Sequence, residues 1–193
     1  MKIESGNAQD AGLVQIAKSA IFGEQANAEG VYLVECRDAD GNLKWEDRID
    51  NLVVNVGKNL MLDTLLGGSA YTVTGPFMGL ASSAVASATA TDTMTTKTGW
   101  TEVGATNAPA YTAPRKTISF SAAATGTKAS TGTYTFAITS AGTVGGCFIV
   151  LGTGAVSTID STAGTLLSVG AFTGGSKTVA NGDSLTVTYS LSV

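Results

Sequence analysis

The chain has 193 residues, a net charge of −4 and a charged fraction of only 13% beside 44% apolar residues, about half the roughly 25% charge usual in a soluble domain. That length can bury a core without a metal or disulfide staple, and the apolar content argues against a disordered chain. The acidic balance and the scattered Lys and Arg, adjacent only at Arg115-Lys116, argue against nucleic acid as a partner, because such binders carry a basic stripe.

Charge is divided unevenly. Residues 1–63 hold eleven of the fifteen acids and six of the eleven bases; the rest of the chain is rich in Gly, Ala, Ser and Thr. Surfaces made of small, weakly charged side chains suit a protein that is covered in an assembly. No run approaches the roughly 18 apolar residues of a membrane span, and Met1 to Asn7 lack the apolar core of a signal peptide. The expectation is a product made in the cytoplasm with no membrane partner. Cys36 and Cys147 fit neither a disulfide framework nor a zinc pattern. Each lies in an apolar run, which reads as a reduced core thiol; the sequence leaves a bridge between them open.

In chain order, residues 7–22 read as a short helix. Leu13, Ile16, Ala17, Ala20 and Ile21 recur at three- and four-residue spacing and line one face. Gly23 ends it, and a polar linker follows. Residues 1–30 are therefore read as a helical arm, able to fold back on its own domain or to reach a neighbour, and residues 31–193 as the main domain. Residues 31–37 and 43–49 read as a β-hairpin whose turn, Asp38-Ala39-Asp40-Gly41-Asn42, places Gly41 where positive φ is needed. A helical turn is predicted over 57–66, stopped by Gly67-Gly68.

Beyond that, strands are predicted near 77–81, 115–122, 133–139, 146–151, 165–172 and 184–191. Alternation is clean in Ile118/Phe120/Ala122, Tyr134/Phe136/Ile138 and Leu185/Val187/Tyr189/Leu191, as in half-buried antiparallel strands. Cys147-Phe148-Ile149-Val150 is apolar on both faces and reads as a central strand. Residues 82–99 read as a long surface loop. The predicted fold is mainly β: an antiparallel sandwich or jelly roll with an N-terminal helical arm and one internal helix.

Histidine is absent, which removes Ser–His–Asp and Cys–His catalysis and the commonest metal ligand. The acids of the second part, Asp92, Glu102, Asp160 and Asp183, sit beside turn residues rather than as a catalytic pair. The Asp38 turn lacks the calcium-loop Glu at its twelfth position, which is Ile49. Gly57-Lys58-Asn59 and Gly174-Gly175-Ser176-Lys177-Thr178 lack phosphate-loop spacing. No enzyme activity, cofactor or metal is expected.

Arg37-Asp38-Ala39-Asp40-Gly41-Asn42-Leu43-Lys44-Trp45, followed by Asn51-Leu52-Val53-Val54-Asn55-Val56-Gly57-Lys58-Asn59-Leu60, resembles the front of small virion proteins of tailed bacteriophages. Phe77-Met78-Gly79-Leu80, Asp92-Thr93-Met94, Gly99-Trp100-Thr101-Glu102, Arg115-Lys116 and Gly182-Asp183-Ser184-Leu185-Thr186-Val187-Thr188-Tyr189 continue the pattern over residues 31–193. The resemblance implies a structural protein of the virion. The leading expectation is a capsid decoration or cement protein, homo-oligomeric on the particle, that bridges major capsid subunits. The alternative is a tail or fibre component. Contact residues are expected at Leu13, Ile16 and Ile21 on the arm and at Trp45 and Trp100 on the body, since large apolar and aromatic side chains anchor interfaces.

Overall fold

A computed structural model describes residues 27–66 and 74–193. The predicted helix over 7–22, with Leu13, Ile16 and Ile21, lies outside the described residues. The elements are β1 (Glu29–Arg37), β2 (Leu43–Val53), α1 (Asn55–Leu66), β3 (Phe77–Ala81), a 3-10 turn (Ser83–Ser87), β4 (Glu102–Val103), β5 (Lys116–Thr117), β6 (Thr127–Ala129), β7 (Tyr134–Ala137), β8 (Gly142–Val144), β9 (Gly146–Leu151), β10 (Thr165–Ala171), β11 (Lys177–Val179) and β12 (Ser184–Ser192). The fold is mainly β and sandwich-like, as predicted. Ten strands form one curled antiparallel sheet in the order β4-β3-β9-β10-β2-β1-β12-β6, with β5 on β3 and β7 on β12; β8 and β11 pair separately.

The curl turns on β2. Up to Asn51 it pairs with β1, and its last residues, Leu52 and Val53, pair with β10. One strand thus belongs to two halves. In the first half β1 and β12 alternate cleanly, burying Tyr32, Val34 and Cys36 and, opposite them, Leu185, Val187 and Tyr189. From the second half, Met78, Leu80, Cys147, Ile149 and Leu167 join the same core. The Tyr32 hydroxyl meets Ser168 Oγ across it at 2.6 Å. The hairpin turn forms because Asp38 Oδ1 accepts the N–H groups of Asp40 and Asn42 at 3.0 and 2.8 Å, while Gly41 takes φ 87°.

β9 lies between β3 and β10 and is buried on both faces, as its continuous apolar run predicts. Its outer face needs a second cover, and residues 82–100 supply it. Val85, Met94 and Trp100 pack with Phe148, Val150, Leu166 and Val169 in a second core. The predicted surface loop also packs down through Val85 and Met94, held there because Phe148 and Val150 would otherwise face water.

The strand predicted over 115–122 shrinks to β5. Beyond it the Ser119 N–H donates to the Tyr134 hydroxyl at 2.6 Å instead of to a neighbouring strand, and only a single bridge, Phe120 to Ser130, resumes the pairing. The short strands β4, β6, β8 and β11 had no alternation to betray them. Cys36 and Cys147 are both buried and unbridged. Burial, and secondarily Asp183, pushes the Cys36 thiol up to about 11, and burial raises Cys147 as well, so neither is a ready nucleophile.

Candidate interaction surface

α1 starts where β2 leaves the sheet. The Asn55 N–H donates to Ala90 O at 2.8 Å and Lys58 N–H to Val54 O at 3.0 Å. Gly57 is its one buried residue, and a Cβ there would sit 2.6 Å from Leu167 O. The first turn therefore lies directly on the β10 backbone. The second half leaves leucines exposed. Leu62, Leu65 and Leu66 are 54, 79 and 77% exposed, in a helix whose last turn carries no basic residue.

Beside this face runs a groove of about 460 Å³. α1 provides one wall through Leu60, Met61 and Leu65; Phe120, Leu151 and Leu191 lie among the residues that complete it. The lining is almost all carbon. Lys128 is the charged residue among those that line it, and its Nζ donates to Ser121 O at 3.0 Å. Such a surface can hold an apolar face of another segment.

Glu102, Arg115, Asp92 and Asp183 of the second part are engaged elsewhere. Arg115 forms a buried two-pronged pair with Glu102, Nε to Oε1 at 2.9 Å and Nη2 to Oε2 at 2.6 Å. Glu102 Oε2 also accepts the Asp160 N–H, and Arg115 donates to Val156 O and Ser161 O. The pair therefore clamps β4 and the segment after β9 to the start of β5. Burial pushes the Glu102 carboxyl up, and Arg115 opposes that.

Asp92 accepts the Trp100 indole N–H at 2.7 Å and the hydroxyls of Thr98 and Thr89 at 2.5 and 2.8 Å. Burial raises its pKa, but these donors together outweigh burial and leave it below the usual carboxylate value. Asp183 takes the Lys44 ammonium at 2.5 Å and the Ala180 N–H at 2.8 Å. Among the described residues, no three His, Cys, Asp or Glu side chains cluster as metal ligands.

Of the two predicted body contacts, Trp100 differs from expectation. Trp100 is 2% exposed, with its ring 5.5 Å from Phe148. It is a core residue and presents no contact surface, because the sheet's outer face absorbs it. Trp45 is half-buried; it packs edge-on to Phe172 and donates to Thr178 O at 3.3 Å. Neither lines the groove. The sequence carries a signal for α1's exposed apolar face: Leu60, Met61, Leu62, Leu65 and Leu66 are more apolar residues than one side of so short a helix can bury. The Glu102–Arg115 pair also had a signal, the rarity of charge between residues 64 and 193. A scan against protein-family models and searches of curated proteins and of solved structures return no match for this chain.

Proposed function

We propose that this chain is a structural subunit of a tailed-bacteriophage particle, a capsid decoration or cement protein that bridges neighbouring major capsid subunits. The observation that carries the reading is the exposed apolar face of α1 and its groove, on a chain whose second-part carboxylates Asp92, Glu102 and Asp183 are engaged in internal hydrogen bonds. Contiguous exposed apolar surface is the usual mark of a partner contact. The β-domain is the body in this reading. Many weak contacts repeated over a shell add up by multivalency to firm attachment. The resemblance of residues 31–193 to small virion proteins agrees with this role.

The test is the amount of this protein in purified particles of the phage that encodes it, measured by quantitative mass spectrometry against the major capsid protein. Hundreds of copies per particle support the shell position. A handful would place it in the tail or fibre instead, and absence from the particle would overturn both.

A further inference from the structure

We propose that Asn181 is a site of spontaneous deamidation whose rate is set by the opening of the turn between β11 and β12. Asn181-Gly182 is the only Asn-Gly step in the sequence; every other asparagine precedes Ala, Leu or Val. Both residues are exposed. Gly182 takes φ 91° and, lacking a Cβ, leaves its backbone nitrogen open to close approach. Asparagine amides are chemically labile. In the reaction the Gly182 nitrogen gives its proton to hydroxide and attacks Asn181 Cγ. The new N–C bond closes a succinimide ring as the Cγ–Nδ2 bond breaks, and the side-chain nitrogen takes a proton from water and leaves as ammonia. Water then opens the ring at either carbonyl. One opening gives aspartate; the other gives isoaspartate, with the backbone rerouted through Cγ.

The folded turn closes this route. The Gly182 N–H donates to Ile138 O at 2.9 Å, and the Ile138 N–H donates to Asp183 O at 2.8 Å. Attack requires the Gly182 nitrogen to leave Ile138 and meet the side chain of Asn181. Asp183 holds the turn against that movement. Its Oδ2 accepts the Ala180 N–H at 2.8 Å and the Lys44 ammonium at 2.5 Å, and its own N–H donates to Ala180 O at 3.2 Å. Asp183 is 3% exposed, so these bonds are strengthened by their surroundings. Isoaspartate would add a backbone atom between Ala180 and Asp183, where the Ala180 and Asp183 bonds need the native spacing. The change is one-way and leaves the turn loosened. It concerns the chain itself and stands apart from the particle reading.

Peptide mapping of the full-length protein in mildly alkaline buffer tests this. Cleavage after Lys177 releases residues 178–193, in which Asn181 is the only asparagine, and the amide-to-acid mass change reports the site. Modification should proceed there in urea and run at least about tenfold slower in the folded protein. Hydrogen exchange of the Gly182 amide measures the same opening independently, since both processes need the N–H freed from Ile138. The slowing of deamidation should match the exchange protection of Gly182 to within about threefold. Lys44→Met takes the ammonium from Asp183 and should raise both rates together. No modification at Asn181 in urea overturns the proposal, and so does equal deamidation in folded and unfolded chains. Deamidation that outruns the opening measured by exchange also overturns it, a comparison made in wild type that stands even if Lys44→Met misfolds.

Discussion

Glu102 and Arg115 have side chains that are 1 and 0% exposed, so each depends on the other for the hydration it has lost. Glu102→Ala leaves the guanidinium buried and unpaired, and the expected loss is about 3–5 kcal/mol, read by urea denaturation. Replacing both by apolar residues should recover only part of that. The Asp160 N–H and the carbonyls of Val156 and Ser161 would still lose their partners. Asp92 gives a pH signature. Its folded pKa lies below the ordinary value, so its stabilising contribution is complete above the unfolded carboxyl pKa of about 3.9. That contribution falls away as pH drops through the lower folded value. Asp92→Asn should therefore lower the thermal midpoint at pH 7 and narrow its gap to wild type as the pH falls below about 4, measured by calorimetry across that range.

At the scale of elements, α1 and the cover over residues 82–100 are set by close contacts with one sheet. Gly57→Ala brings two opposed effects. Alanine favours the helix by about 1 kcal/mol, but its Cβ would fall 2.6 Å from Leu167 O and 2.9 Å from Leu167 Cα, backbone atoms that cannot swing aside. The clash should win, with a net loss of about 1–3 kcal/mol in chemical denaturation. Trp100→Ala should cost about 3–5 kcal/mol, since it opens the second core and strips Asp92 of its indole donor. The hairpin, α1 and the central strand β9 were legible in the sequence, because each carries a local signal: the Asp38–Gly41 turn, a run of helix formers closed by two glycines, and an apolar run without alternation. The cover was not legible. Its small residues carry no period, and only the two-faced apolarity of β9 demands that something lie over it.

For the whole molecule, period two along β1, β7 and β12 gave the fold class, but not the order in which strands pair. β2 joins both halves of the sheet, and β9 sits beside β3 rather than β8; such long-range pairings leave no mark at any one position. The candidate surface was legible only in part, because the leucines of α1 show their exposure only once Gly57 has fixed which side of the helix meets β10. The same fold that buries Asp92, Glu102, Arg115 and Asp183 leaves this apolar face outward, which is the reason for proposing that the chain has a place in an assembly. Heat-induced genome release from phage particles with and without this protein tests that assignment most directly. Particles lacking it should release their DNA at a clearly lower temperature, and adding back the purified protein should restore the original value. Release at the same temperature in all three samples would contradict the cement role.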